Sequence, residues 1–292
     1  MNETVGLLDR CTFPKPATEV VCALSGGADS TALVFLAIAA KCTVKAVHVH
    51  HGLRPSADND DEVARRTAER LGVPFRSVRV DLEDGPNLEA RARSARREVL
   101  GPHALMGHTA DDQAETLLLA LLRGSGATGL AAITPGPTHP ILALRASETR
   151  ALCNREGLEY ATDPTNTDPR FRRNRIRHEL IPLLNTIAER DVTALLTRTA
   201  RLLRSDDDLL DSLASSLDPT DTRALNDAPT PLASRAVRRW LTRGGYPPSA
   251  AAVERVLAVA AGDNTACEVS GGLRIERQKG RLRILPDDHS SR

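Results

Sequence analysis

Features that mark several large classes of protein are scarce or missing in this sequence. The longest apolar run, Ala32–Ala40, is too short to cross a bilayer. The N-terminal segment carries Glu3 and Asp9 where a secretory signal has basic and then apolar residues. The five cysteines are odd in number and none forms a C-x-x-C pair, which argues against a disulfide framework and a zinc knuckle. The sequence therefore predicts a cytoplasmic protein with reduced thiols and no membrane partner.

The chain as a whole has no large excess of positive or negative charge, but parts of it do. The formal net charge is +1, so bulk electrostatics indicate no nucleic-acid partner. Residues 206–221 contain six aspartates and no base, whereas residues 223–292 contain twelve Lys or Arg against seven Asp or Glu, a net charge of +5. Only four of the 39 basic residues are lysines, and arginine is the better bidentate phosphate ligand, although a GC-rich genome produces the same bias. The C-terminal quarter is thus predicted to be the basic part.

The pattern of apolar residues predicts an α/β fold in two domains, residues 1–190 and a smaller, mainly helical domain of residues 191–292. Strands are predicted at Val20–Leu24, Thr43–Val49, Val73–Leu82, His103–Gly107 and Ile141–Leu144, with helices at Thr31–Ala40, Ser56–Leu71, Asn87–Leu100, Thr109–Leu122 and Ser147–Gly157. Such alternation predicts a parallel sheet with helices on both faces, and ligands beyond the carboxyl ends of the strands. A hairpin is predicted at Cys267–Leu285, turning at Gln278–Gly280.

The first candidate site is the loop S-G-G-A-D-S, Ser25–Ser30, between a predicted strand and helix. At such a turn, unpaired backbone N–H groups point outward at the positive end of the helix dipole, so phosphate is the natural occupant. Asp29 would repel a phosphate unless a cation such as Mg²⁺ lies between them. The loop lacks the Walker A lysine and is not G-x-G-x-x-G. The alternative is an ordinary turn with Ser30 as helix N-cap.

A second strand-to-helix passage, Gly107–Thr116, should lie on the same edge of the sheet. Thr109 fits an N-cap with Asp112 three residues later, so a capping role for Asp112 is the simple interpretation. The ionisable groups at this helix start nevertheless outnumber what a cap requires, and they suit metal binding or proton transfer: His108, Asp111, Asp112 and Glu115.

A third segment, Arg170–His178, concentrates five arginines and a histidine in nine residues. Such a cluster is unfavourable unless anionic groups compensate it, although charge runs are usually solvated helix faces. An apolar stripe through Ile176 and Leu180 requires some of the arginines to face outward or into a cleft.

Together these segments resemble the tRNA(Ile)-lysidine synthetase family of the N-type ATP pyrophosphatase (PP-loop) superfamily. The matching segments are Ser25–Ser30, His48–Arg54, His108–Thr116, Arg123–Gly126 with Gly129 and Leu130, and Arg173–Leu180. They cover residues 20 to about 185, beyond which the chain is similar in a general way to the short form of the enzyme, with one extra C-terminal domain. Two departures are Thr109, where a second histidine is frequent, and Thr165, where serine is.

The resemblance implies an adenine nucleotide alpha-hydrolase-like fold and a two-step ligase reaction. ATP would adenylate the C2 oxygen of the wobble cytidine in an isoleucine tRNA with a CAU anticodon, releasing pyrophosphate. The ε-amine of free L-lysine would then displace AMP and form lysidine. The cofactors implied are ATP as co-substrate and Mg²⁺.

The resemblance also carries residue roles over to this sequence. ATP binding falls to Ser25, Gly26, Gly27, Ala28, Asp29 and Ser30, with Asp29 near Mg²⁺; the catalytic candidates are Asp112, His108, Arg175 and Arg177; and weaker substrate-binding candidates are Arg91, His51 and Arg54. The lysine amine, with a reference pKa of about 10.4, attacks only when neutral, and Asp112 is preferred over His108 as its base.

The tRNA would be held mainly by arginine, backbone and shape contacts, because aromatic residues make up only 2% of the chain and offer few stacking platforms. The basic C-terminal domain is the expected holder, and the sequence leaves homodimer formation open. Three alternatives are less consistent with the sequence. A PP-loop tRNA thiolase needs cysteine pairs, and none is present; a small-molecule amide synthetase would lack an Arg-rich second domain. A nucleotide-sensing or RNA-binding protein without catalysis would have a broken loop or lack the pair His108 and Asp112, and both are intact.

Overall fold

The computed structural model describes residues 2–50, 57–80, 88–162, 167–242, 247–269 and 272–286, in two compact units, Met1–Leu203 and Arg204–Arg292. Unit 1 is built on a parallel sheet of β1 (Glu19–Ala23), β2 (Thr43–His50) and β3 (Phe75–Arg79), in the order β1-β2-β3. The helices of this unit are α1 (Asn2–Leu8), α2 (Ala28–Ala39), α3 (Ala57–Arg70), α4 (Leu88–Leu100), α5 (Ala110–Leu122), α6 (Ala127–Leu130), α7 (Ala146–Arg155), α8 (Arg172–Arg175) and α9 (Ile181–Ala188).

Helices cover both faces of the sheet because alternate strand residues point to opposite sides. On one side, Val20, Cys22 and Ala46 pack with the apolar face of α2 in the main core. On the other side, Val47 packs with Leu100 at the end of α4 in a smaller cluster. The predicted α/β class, with a parallel sheet between helical layers, is confirmed.

Two predicted strands differ from the structure. His103–Gly107 contributes a single parallel bridge, Cys22 to Leu105, next to β1. Residues 141–144 form turns instead of a strand, although Ile141 and Leu144 are completely buried. Short apolar runs are equally compatible with a strand and with a buried turn, so periodicity could not separate the two.

A π-helical turn, Ile176–Leu180, lies between α8 and α9 within the Arg-rich segment. The long helix α10 (Val192–Ser215) follows. The division between the two compact units, at Leu203 and Arg204, falls inside this helix, whereas the boundary of 190/191 proposed from the sequence precedes it. That boundary stays a prediction.

Unit 2 combines helices with an antiparallel sheet. After α11 (Thr222–Asp227), α12 (Thr230–Leu241) and α13 (Ala250–Ala261), β4 (Ala266–Val269), β5 (Leu273–Gln278) and β6 (Arg281–Pro286) pair in the order β4-β5-β6. The β5–β6 turn is Lys279–Gly280, whose φ values of 50° and 76° are those of a tight two-residue hairpin turn. The predicted hairpin is therefore present, with β4 added as a third strand.

Among the helices of the described residues, none combines the length and the apolar character that a membrane span requires.

Candidate active site

A cavity of about 460 Å³ opens at the carboxyl ends of β1 and β2. It reaches the starts of α2 and α5 and the Arg-rich segment. Its polar lining consists of Ser25, Asp29, Ser30, His48, His50, Asp60, Arg96, His108, Asp112, Arg150, Tyr160, Thr162 and Arg177, with Gly27, Ala28 and Gly107 at the bottom of the loops. Parallel strands direct their following loops to one edge, so this position is the one in which such sheets bind ligands.

The side-chain hydrogen bonds within the loop Ser25–Ser30 do not cap the N-terminus of α2. Gly27 is the N-cap of α2 and makes no side-chain capping bond. The Ser30 hydroxyl donates to the Gly27 carbonyl at 2.8 Å and accepts from the Ser25 amide at 3.1 Å. The alternative in which Ser30 is the N-cap is therefore wrong. The first-turn amides of α2 have no partner within the helix, which is the arrangement that binds phosphate.

Two glycines make this geometry sterically accessible. Gly26 has a φ of 88°, and a Cβ on it would lie 2.7 Å from the Asp60 carbonyl oxygen. Gly107 lies against the turn of α2, where a Cβ would be 3.0 Å from the backbone of Asp29 and Ser30. The structure thus brings the first and second candidate segments into direct contact.

Asp29 faces the cavity from the first turn of α2. Burial raises its pKa to about 6, while a hydrogen bond from Thr149 lowers the pKa and the charge of Asp112 raises it. Two carboxylates that face one cavity suit Mg²⁺, which binds one or two protein carboxylates together with phosphate oxygens. The described residues contain no cluster of three or more His, Cys, Asp or Glu with metal-binding geometry. Mg²⁺ bound to a nucleotide does not need such a cluster, because phosphate oxygens supply part of its ligands. Asp29 and Asp112 therefore fit this ion.

His108 lies at the start of α5. Burial lowers its pKa to about 4, although the Asp112 charge acts in the opposite direction. Its Nδ1 atom is buried and has no hydrogen-bond partner among the residues that the structure describes. The ring is therefore neutral at neutral pH, and the residue lines the cavity.

Asp112 has both carboxylate oxygens engaged. Oδ2 accepts the Thr109 amide at 2.7 Å, so the capping interpretation of this residue holds. Oδ1 accepts from Arg173 at 2.8 Å and lies 3.8 Å from the Arg177 guanidinium.

Glu115 joins the second and third candidate segments. Its side chain is completely buried and accepts from Arg173 Nε at 2.6 Å and from Arg177 Nε at 2.5 Å. The sequence singled out Glu115 for metal binding or proton transfer. The structure places it behind the cavity wall, where it orients two arginines, of which Arg177 lines the cavity.

The other sequence candidates that the structure describes do not line the cavity. Arg175 is exposed and pairs with Glu179 one helical turn later, at 2.9 Å. Arg91 lies on α4 and is not among the described residues that line the cavity. His51 and Arg54 fall outside the described residues. Asp111 accepts the Ala146 amide at 2.7 Å and pairs with Arg145, so it fixes the start of α7.

Several cavity residues had no signal in the sequence. Arg150 and Tyr160 are isolated polar positions in an ordinary helix and loop, and Arg96 is one of several arginines on α4. Asp60 belongs to an acidic helix start that the helix dipole alone explains. Only the tertiary contacts bring these side chains to the cavity.

Comparisons with known proteins agree with this geometry. Residues 4–184 match the PP-loop domain family and residues 221–283 match the TilS substrate binding domain. The tRNA(Ile)-lysidine synthase of Nocardia farcinica is 44% identical over 80% of this chain and 78% of its own length. The tRNA(Ile)-lysidine synthase of Rhodococcus erythropolis is 42% identical over 79% and 76%.

Among solved structures, the U34-tRNA thiolase NcsA from Methanococcus maripaludis superposes with a TM-score of 0.56 at 18% identity, covering 70% of this chain and 78% of that one. This likeness supports the fold alone. Because the PP-loop family covers more than half of the chain and relatives above 40% identity cover most of it, the chain belongs to the tRNA(Ile)-lysidine synthase family.

Proposed function

We propose that this protein is a ligase that uses ATP to join L-lysine to C2 of the wobble cytidine in an isoleucine tRNA with a CAU anticodon, forming lysidine. The observation that carries the proposal is a single cavity shared by the Ser25–Ser30 loop, His108, Asp112 and Arg177. Support comes from relatives named tRNA(Ile)-lysidine synthase and from the TilS substrate binding domain match.

The reaction proceeds through an adenylated tRNA. The C2 oxygen of the cytidine attacks the α-phosphorus of ATP, and the bond to pyrophosphate breaks. The lysine ε-amine then adds at C2, AMP leaves with the oxygen, and the amine loses a proton. This order is chemically sensible because a pyrimidine carbonyl oxygen is a poor leaving group whereas AMP is a good one.

The Ser25–Ser30 loop holds the phosphates of ATP. The amides at the start of α2 supply hydrogen bonds and a favourable dipole, and Gly26 and Gly27 let the backbone approach the anion. Mg²⁺ held by Asp29, with Asp112 close by, would neutralise phosphate charge. Arg177, oriented by Glu115, faces the same volume and stabilises the negative charge of the transferred group.

We propose His108, instead of Asp112, as the group that accepts the lysine proton. This departs from the preference drawn from the sequence. Asp112 accepts bonds from Thr109 and Arg173 on its two oxygens, so its carboxylate already holds the start of α5 against the Arg-rich segment. His108 lines the cavity, and burial lowers its pKa to about 4, which leaves the ring neutral and able to accept a proton. Its own low basicity limits the rate gain from direct proton transfer.

Unit 2 is proposed to bind the tRNA, since residues 223–292 carry the positive charge and residues 221–283 match the substrate binding domain. The base to be modified must leave the anticodon stack to enter a pocket. Arg175, which is exposed on α8, together with Arg91, His51 and Arg54, is proposed to contact tRNA phosphates. Homodimer formation and a cytoplasmic location stay predictions.

A thiolase activity is disfavoured by the cysteines, all of which belong to the described residues. None lines the cavity, and burial raises the pKa of each thiol, for Cys22 to about 12. A sulfur-transferring cysteine needs the opposite shift.

The test is incubation of the protein with ATP, Mg²⁺, radiolabelled lysine and an isoleucine tRNA transcript carrying a CAU anticodon. We expect label in the tRNA, together with one AMP and one pyrophosphate for each lysine joined. A methionine tRNA transcript with the same anticodon serves as the control. Pyrophosphate release without lysine incorporation would refute the assignment and favour another member of the superfamily.

A further inference from the structure

Helix α7 contacts the first turn of α2 through one buried face. Thr149 and Cys153 lie one turn apart on this face, and both are completely buried. The Thr149 hydroxyl bonds to Asp29 Oδ1, and the Cys153 thiol donates to the Ala28 carbonyl at 3.4 Å. Two of the residues that line the loop end of the cavity are therefore held from behind by α7.

The same helix is attached to the start of α5. Asp111 accepts the first amide of α7, from Ala146, and pairs with Arg145 at 3.0 Å. Asp111 precedes Asp112, so α7 is bonded to both helix starts that carry cavity carboxylates. Arg150, the residue after Thr149, lines the cavity itself.

The Thr149 hydroxyl has one proton and two acceptors within reach, the Asp29 carboxylate and the Ala146 carbonyl at 2.9 Å. An ionised carboxylate is the stronger acceptor of the two. Threonine also has a restricted χ1 in a helix, so the position of the hydroxyl that donates to Asp29 is restricted as well. A buried carboxylate with one fixed oxygen has few rotamers left.

We propose that Thr149 is a positioning residue that fixes the Asp29 carboxylate for nucleotide and Mg²⁺ binding. The inference rests on the proposed function only in its use of ATP. Thr149 does not line the cavity, so it acts on the ligand through Asp29. If Thr149 only filled space between α2 and α7, losing its methyl group would be more harmful than losing its hydroxyl group. If it positions Asp29, losing the hydroxyl group is the more harmful change.

Two substitutions separate these roles. Thr149→Val keeps the shape and removes the hydroxyl, whereas Thr149→Ser keeps the hydroxyl and removes a methyl group. A lost bond to a charged group corresponds to roughly a 10- to 100-fold effect. We expect Thr149→Val to lower kcat/KM for ATP by that factor, mainly through KM and a higher Mg²⁺ requirement, and Thr149→Ser to stay within about threefold of the parent protein.

Thr67→Val is the matched control. Thr67 is a buried threonine of the same unit, its hydroxyl donates to the Glu159 carbonyl at 3.2 Å, and neither of these two residues lines the cavity. Thermal unfolding of all variants checks that each is folded. The inference is overturned if Thr149→Ser loses as much as Thr149→Val, or if Thr149→Val binds and turns over ATP like the parent protein.

A double-mutant cycle locates the effect on Asp29. Calorimetric titration with ATP and Mg²⁺, without tRNA, gives affinities for the parent protein, Thr149→Val, Asp29→Asn and the double variant. We expect Thr149→Val to weaken binding in the parent background and to have no further effect in the Asp29→Asn background. Additive losses would overturn the inference. Because this cycle measures nucleotide affinity alone, failure of lysine transfer to tRNA would count against the proposed function and not against the role of Thr149.

Discussion

Replacing Glu115 by glutamine tests how the second and third candidate segments are joined. The carboxylate is completely buried and accepts a short bond from each of two arginines, Arg173 and Arg177. Glutamine has the same shape but only one acceptor oxygen, and its NH₂ group would face an arginine N–H. The change therefore leaves two guanidinium groups close together, with Asp112 as the remaining carboxylate that both of them approach.

The magnitude follows from the burial of each partner. Removing one member of a fully buried ion pair costs about 3–5 kcal/mol. The side chains of Arg173 and Arg177 keep 41% and 34% of their surface exposed. Solvent therefore screens part of the uncompensated charge, and we expect a loss of about 2–3 kcal/mol. For a unit of this size, that loss corresponds to a fall in Tm of about 5–10 °C.

The chain offers a matched control in Glu179. It also pairs with an arginine, Arg175, but the two side chains are 53% and 61% exposed. We expect Glu179→Gln to leave Tm unchanged within measurement error, because solvent replaces the lost interaction. Circular dichroism melts of the two variants and the parent protein make the comparison.

Glu115→Gln should also lower the rate of ATP-dependent tRNA adenylation, roughly 10- to 100-fold, because Arg177 loses its orientation at the cavity. Equal melting temperatures for the Glu115→Gln and Glu179→Gln variants would refute the reasoning, since it depends on the burial of Glu115 and on its two arginine partners.

Four further outcomes are expected. Gly107→Ala should weaken ATP binding at least tenfold by calorimetry with little change in tRNA affinity, since a Cβ there meets the backbone of Asp29 and Ser30 at 3.0 Å; unaltered ATP affinity would contradict the close approach. The pKa of His108 is about 4 in the fold and about 6.5 when unfolded, so the unfolded chain binds the proton more readily. The free energy of unfolding should therefore fall from pH 6.5 toward pH 4, by up to about 3 kcal/mol. Urea melts of His108→Gln should show a smaller fall over that range, and an NMR titration midpoint near 6.5 would disprove the shift. Arg177→Ala should reduce adenylation with tRNA affinity largely kept, whereas Arg175→Ala should do the reverse, as filter binding and pyrophosphate release can measure; identical profiles would remove the distinction. Binding of tRNA should weaken steeply between 50 and 200 mM salt, by roughly 10³-fold if about six phosphates are contacted, and a flat response would exclude arginine-dominated binding.

The sequence was most informative where a local pattern has a local cause. Gly26 and Gly27 were identifiable because glycine next to a predicted strand end indicates a turn or a close approach of backbone. The capping pair of Thr109 and Asp112 was readable from a spacing of three residues. The hairpin at Lys279–Gly280 followed from a turn signal between apolar residues.

The sequence was misleading or silent where an interaction joins distant segments. Glu115 suggested metal or proton chemistry, but its partners come from 58 and 62 residues further along the chain. Ser30 suggested an N-cap, although Gly27 occupies that position. Arg175 and Arg177 are two residues apart in the same Arg-rich motif, so the sequence did not distinguish them. Of the two, Arg177 lines the cavity and Arg175 pairs with Glu179, because their side chains leave the helical segment in different directions.

By itself, then, the amino-acid sequence determined the α/β class and the position of the glycine-rich loop, because strand and helix periodicity and glycine placement are properties of neighbouring residues. The family followed from the resemblance of its motifs. Only the tertiary structure decided which ionisable groups meet. Thr149 bonds to Asp29 across 120 residues, and Arg173 bonds to Asp112 across 61. Such contacts depend on how α7, α5 and the Arg-rich segment pack around one sheet edge, and burial there sets the charge states of Asp29 and His108 that no sequence pattern encodes.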